Sequence, residues 1–207
     1  MKKKETSTTT RKTVKKTTAS RPNKSRATAS SEMQTPQLMK LFENELRDIY
    51  WAEKALAKVY PKMIKNATSD ELIVTLTHQQ RETVEQVDRL VRVFEHIDKK
   101  PVAKKCDGMA GIIMEAESIL RECEKGAMRD AGIILSCQKA EHYEIATYGT
   151  LRQFAETLGL DDAVEILHAT LEEEKAGNEK LTEIAVTTIN LAAAGKIEEV
   201  EFESSYR

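Results

Sequence analysis

Ala140-Glu141-His142-Tyr143-Glu144-Ile145-Ala146-Thr147-Tyr148 repeats, in outline, an earlier stretch: Ala52-Glu53-Lys54-Ala55-Leu56-Ala57-Lys58-Val59-Tyr60. In each copy a Glu stands seven residues before a Tyr, inside a long helical pattern. That spacing is close to two α-helical turns, so Glu and Tyr share a direction. The direction is the apolar one. Glu53 falls in line with Phe42, Leu46, Ile49 and Leu56, and Glu141 with Ile134, Cys137, Ile145 and Leu151. A carboxylate in an apolar stripe is costly unless something pairs it, and a metal is a partner that two such repeats can share.

Working outward, the chain reads as helices throughout. It has 207 residues, enough for one domain with a proper core. Apolar residues make up 40% but aromatics only 5%, and Gly and Pro are scarce, a balance that favours helices over sheets. Helix A is expected from about 36 to 66, with Thr35 as N-cap, Pro36 in the first turn and Pro61 as the place for a bend. Helix B is expected over about 70–98, restarting at Ser69-Asp70-Glu71, with Leu76, Thr83, Leu90 and Ile97 as its core line. A crossover helix fits about 108–125. Helix C fits about 127–158, stopped by Gly159, and helix D runs from Asp161 to about 192. Two antiparallel hairpins joined by one long crossover make an all-α, ferritin-like four-helix bundle.

Three segments follow: a disordered basic tail over 1–35, the helical bundle over 36–192 and a polar C-terminal tail over 193–207. The formal net charge of −2 hides an asymmetry. Residues 1–31 hold Lys2, Lys3, Lys4, Arg11, Lys12, Lys15, Lys16, Arg21, Lys24 and Arg26 against one acid, Glu5, a net +9 that leaves −11 elsewhere. With almost nothing apolar to bury, that segment is not expected to order by itself. Its charge suits weak, sequence-independent, salt-sensitive DNA binding. It has no aromatic side chain to stack on a base. The alternative is a solubilising or self-associating tail that docks on the acidic body. Cys106, Cys123 and Cys137 show neither zinc nor redox spacing, and an odd count without a secretory signal points to reduced thiols and a cytoplasmic location. No run of apolar residues is long enough to cross a membrane, so no membrane insertion is expected.

If helices A and C correspond through their Glu-to-Tyr phrase, B and D correspond too. The spacing of Leu76 to Leu90 equals that of Leu167 to Leu181, and on that register Glu82 matches Glu173 and Thr83 matches Glu174. Each half then offers carboxylates from both of its helices, as a dinuclear iron or manganese site requires. Glu53 and Glu141 sit centrally. Glu82 lies on the flank of its helix, with Gln79 and Gln86. The repeat favours Glu173 and helical phase favours Glu174. Glu144, one turn after Glu141, is a second candidate ligand on helix C. The bland reading of any one of these acids is solvated surface. For Tyr60 and Tyr148 it is a core residue, and the sharper reading is a hydrogen bond to a ligand carboxylate.

The stretch from about Leu38 to Asn190 resembles the bacterial ferritin-like stress proteins of the YciF type (the DUF892 family). Arg129-Asp130-Ala131 and the run from Gln138 to Leu151 carry most of the resemblance, with Leu171-Glu172-Glu173-Glu174-Lys175, Glu45-Leu46-Arg47-Asp48, Ala52-Glu53-Lys54 and Glu82-Thr83. It implies a rubrerythrin- and ferritin-like bundle, usually dimeric and induced under stress. The chain departs from better-known relatives, which place Glu-x-x-His on helices B and D. Here Glu85 follows Glu82, and Ala176 follows Glu173. Members of the family often carry His where this chain has Gln79, and His78 is one helical turn from Glu82. Little imidazole argues against efficient redox chemistry, though not against metal binding.

Two functions therefore stand open. One is a bundle holding two Fe or Mn ions through Glu53, Glu82, Glu141, Glu144 and Glu173 or Glu174, for ferrous oxidation or peroxide removal. The other is a non-enzymatic homodimeric stress protein whose tail binds nucleic acid non-specifically.

Overall fold

The computed structural model describes the backbone of residues 24–196 and the side chains from Thr35 onward. Among the described residues, five main helices follow one another: α1 Lys24–Asn66, α2 Asp70–His96, α3 Asp107–Glu122, α4 Ala127–Leu158 and α5 Asp161–Ile184. A π-helical turn, Ala185–Ile189, and a last α-turn, Asn190–Ala193, prolong α5. Among the described residues there is no strand, and no helix is long and apolar enough to cross a membrane.

Local chemistry sets the boundaries. Ser69 caps α2, its hydroxyl accepting the Leu72 backbone N–H at 3.4 Å. Gly159 ends α4 in the left-handed region at φ 72°, where a side chain would be strained. Cys106 caps α3, its sulfur accepting the Met109 N–H at 3.2 Å. Two differences from the sequence-based expectation stand out. First, α1 begins at Lys24 and runs through Pro36, so the proline is not in its first turn. The residues before it hold no glycine, and lengthening a helix that is already nucleated costs little. Second, α5 does not run as one regular helix to residue 192 but shifts to π geometry at Ala185. Of the basic tail, Lys2, Lys3, Lys4, Arg11, Lys12, Lys15, Lys16 and Arg21 lie outside the described residues, as does the polar tail beyond residue 196.

The helices form two hairpins, α1–α2 and α4–α5, packed face to face, with α3 carrying the crossover along α1 and α4. Pairing across the bundle shows that neighbours run antiparallel. Between α2 and α5, Glu71 meets Lys180, Gln86 meets Glu174 and His96 meets Asp162. Between α1 and α4, Glu53 meets Tyr148, while Thr68, just past α1, meets Asp130. Phe42, Leu46, Ile49, Leu76, Leu90, Ile133, Leu151 and Leu167 fill the interior. This is the ferritin-like order of hairpin, crossover, hairpin.

Asp130 locks the two hairpins together. Its buried carboxylate accepts the Thr68 N–H (2.8 Å), the Thr68 hydroxyl (2.7 Å) and the Ser69 N–H (2.9 Å). Beside it, the Arg129 guanidinium donates to the Cys123 carbonyl and to Asn66 Oδ1. The Arg129-Asp130 pair thus holds the α1–α2 turn against the start of α4. Substituting Asp130→Ala removes the partner of two backbone donors in a part-buried turn, so a loss of about 1–3 kcal/mol is expected from the urea midpoint. An unchanged midpoint would show that the turn holds without its clamp.

Candidate metal centre

The interior of the bundle is not apolar throughout. At mid-height α1 contributes Glu53, α4 contributes Glu141 and Glu144, and α5 contributes Glu174, with exposures of 0%, 1%, 2% and 8%. Helical phase explains the set. Glu141 and Glu144 lie a turn apart on the face of α4 that also carries Cys137 and Tyr148. On α5, Glu174 shares the inward stripe with Leu167, Leu171 and Leu181.

The side chains that donate hydrogen bonds to these carboxylates are neutral. The Tyr148 hydroxyl donates to Glu53 Oε1 at 2.6 Å. The Gln79 amide donates to Glu141 Oε1, and the Gln86 amide to Glu174 Oε1. Glu144 and Glu53 lie near enough to shift each other's acidity, an interaction that raises Glu144. Among the described residues, none of the ion pairs involves any of these four acids. Among the described residues, five buried side-chain polar atoms have no hydrogen-bond partner, and four of them belong to this cluster: Glu53 Oε2, Glu141 Oε2, Gln79 Oε1 and Gln86 Oε1.

Burial without a counter-charge has an electrostatic consequence. Loss of water pushes Glu53 up to about 7 from an ordinary 4.5, partly offset by the Tyr148 hydroxyl. Burial, with the nearby charge of Glu82, pushes Glu141 up to about 8. Glu144 and Glu174 are raised well above the usual carboxylate range, by burial first and by their carboxylate neighbours second. Four acids in one dry space cannot all ionise unless a cation joins them.

The other two candidates lie elsewhere. Glu173 points to the flank, where both terminal nitrogens of Arg89 grip its carboxylate, Nη2 to Oε1 at 2.7 Å. Glu82 also stands at the edge, paired with the exposed His78 at 2.9 Å. Of the two α5 alternatives, phase therefore outweighs the repeat, and Glu174 faces inward. No imidazole enters the cluster: His142 bonds the Gln138 carbonyl, His96 meets Asp162, and His168 meets Glu172. Tyr60 lies on the wall of a small cavity of about 10 Å³, with Gln79, Thr83, Glu141 and Glu174.

The donor set fits a hard cation. Four carboxylates with two orphaned amide oxygens suit iron(II) or manganese(II), and the unpartnered oxygens of Glu53 and Glu141 lack any other buried partner. Among the described residues, however, no three Asp, Glu, His or Cys side chains stand close enough around one point to hold an ion as placed. The hydrogen bonds give the reason: Glu53 is turned to Tyr148, Glu141 to Gln79 and Glu174 to Gln86. Holding an ion there would require those side chains to turn.

Sequence reasoning leaves Gln79 and Gln86 on the flank of α2, whereas the structure buries both against the cluster. They stand seven residues apart on α2, on either side of Thr83, the same two-turn spacing that singles out Glu53 and Tyr60. Sequence reasoning missed Arg89, whose only sequence signal is its place one turn after Glu85.

A family model described as "Domain of unknown function (DUF892)" matches residues 37–194. Protein YciF of Escherichia coli (strain K12) is 39% identical over 157 residues, which are 75% of this chain and 95% of that protein. The crystal structure of the E. coli stress protein YciF covers 74% of this chain and 97% of its own, at a TM-score of 0.71. YcfI from Rhodopseudomonas palustris is 44% identical, over 70% of this chain and 92% of its own, at a TM-score of 0.68.

Proposed function

The chain belongs to the DUF892 family, and from that membership and its interior carboxylates we propose that it is a stress-associated, ferritin-like protein that binds two iron or manganese ions. The observation that carries the reading is the burial of Glu53, Glu141, Glu144 and Glu174 with no cationic side chain among them. Protons can neutralise such a cluster, but only by suppressing the acidity of all its members. A dinuclear centre neutralises it with the acids ionised.

Such ions would supply redox chemistry, of the kind that oxidises ferrous iron or removes peroxide. The residues of this chain have distinct parts in that reading. Glu53, Glu141, Glu144 and Glu174 hold the charge. The Tyr148 hydroxyl fixes the orientation of Glu53. Gln79 and Gln86 keep Glu141 and Glu174 in position, and their unpartnered carbonyl oxygens are further hard donors. Glu82 and Glu173, at the edge, serve the approach rather than the centre.

Elemental analysis of protein loaded with ferrous or manganous ion and then desalted tests the proposal. The native chain is expected to retain ions, and the Glu53→Ala, Glu141→Ala double variant to lose most of them. Equal, trace amounts in both would remove the metal and leave a helical stress protein whose acids are satisfied by protons and amides.

A further inference from the structure

A groove of about 330 Å³ runs along the outside of the bundle between α2 and α5. Its outer wall includes Val74, His78, Ala176 and Lys180. Its floor is made by Gln79, Glu82, Glu173 and Gly177, and these same four residues line the small cavity beside Glu141 and Glu174. One layer of side chains therefore separates solvent from the buried carboxylates at this place. The layer is thin because position 177 is a glycine. A Cβ there would lie 2.9 Å from Glu141 Oε1 and 3.0 Å from Gln79 Nε2.

The geometry points to this groove as the way in for a small divalent cation, with Gln79 as its gate. The inference rests on the proposed reading of the centre as a cation site. Glu82 and Glu173 put two carboxylates at the inner end of the groove; Arg89 balances Glu173 and His78 pairs with Glu82, so they offer a cation ligand oxygens to exchange rather than an unopposed field. The bases nearby are already paired: Lys180 with Glu71 at 2.9 Å and Glu183 at 3.0 Å, and Arg89 with Glu173. Gln79 then closes the floor by donating its amide to Glu141. Its carbonyl oxygen is buried on the cavity wall without a partner, so it can greet an ion as the amide swings off Glu141. Glu82 and Glu173 thereby acquire a role distinct from that of the buried four: they collect the ion and hand it inward.

Rates distinguish this inference from the reading beneath it. Uptake of manganous ion by the full-length, metal-free chain is followed as loss of the free-ion signal, and the final ions per chain are counted. Ala176→Phe fills the exposed outer groove without replacing any carboxylate, and should slow uptake by roughly tenfold or more with the same final count. Leu135→Phe, on the exposed face of α4, is the control and should load at the native rate. Gln79→Ala should load several-fold faster, because nothing covers Glu141. If Ala176→Phe loads as fast as the native chain, the ion enters elsewhere and the route is wrong, while the centre stands. If Gln79→Ala loads no faster, the gate is wrong. If the native chain takes up no ion, centre and route fall together.

Discussion

The double variant Glu53→Gln, Glu141→Gln is expected to melt higher than the native chain at pH 8 when metal is absent, and to gain nothing from added manganous ion. The first half follows from the cost of the buried acids. At that pH an unfolded carboxyl is ionised, whereas Glu53 and Glu141 fold into surroundings that raise them to about 7 and about 8. Each unit of raised pKa corresponds to about 1.4 kcal/mol against the folded state, so the pair costs the native chain at least several kcal/mol, against a total stability of about 5–15 kcal/mol. An amide keeps the shape and the acceptor oxygen. The Tyr148 hydroxyl and the Gln79 amide retain their partners, and the ionisation cost disappears. Relief should spread to Glu144 and Glu174, which feel the charges of Glu53 and Glu141.

The second half has the opposite sign. A ligand that binds only the folded state stabilises it by about 2.7 kcal/mol at a hundredfold excess over its dissociation constant. Two ions on four carboxylates should give the native chain at least that, and the amide variant has lost half the charge that attracts them. Melting curves with and without manganous ion should therefore cross: variant above native without metal, native rising towards or past it with metal. A variant that melts below the native chain without metal would mean that these acids stabilise the fold as they stand. The stability deficit would then no longer argue for a functional load.

How far this centre could be read from the sequence depended on whether the signal was local. The bounds of α4 could be read, because Gly159 offers the left-handed residue its end requires. So could Glu53 and Glu141, because a charge within an apolar stripe is detectable along one helix. Glu174 over Glu173 was a contest between two local cues. Phase won because it counts 100° per residue within one helix, whereas the repeat assumes a register between two. For Gln79 and Gln86 the sequence offers only a place on the flank of their helix. A carboxamide looks like ordinary surface until the helix opposite is known, and their partners are 62 and 88 residues away. Asp130 is legible only through the family resemblance, since nothing near it in sequence reveals that it caps a turn on another hairpin. The helical start at Lys24 was hidden for a different reason: composition reports what cannot form a core, not what an adjoining helix can extend.

The metal-free protein should lose stability steadily as pH rises from 5 to 9, the reverse of the acid sensitivity that most paired carboxylates confer. The direction follows from which state holds the proton. Below an unfolded value near 4.5 both states are protonated, and the stability due to these protons is fully present. Above it the unfolded chain releases its protons while folded Glu53 and Glu141 keep theirs. Raising the pH then favours unfolding until the folded values, about 7 and about 8, are passed. Glu82, raised by its partial burial despite His78, adds to the trend with the same sign. Glu117 and Glu172 carry the opposite one: Lys62 and Lys175 lower them, so their contribution is lost only below the ordinary carboxylate range. The window above pH 5 is left to the buried acids. Urea midpoints of chelator-treated protein should fall across it by the equivalent of about 3 kcal/mol or more, and the double amide variant should show a much shallower fall. With manganous ion present the slope should flatten or turn upward, because ions compete with protons for the same oxygens and binding strengthens as the acids ionise. A midpoint that stays level from pH 5 to pH 9 without metal would place the protons, and with them the unmet negative charge, somewhere other than the heart of the bundle.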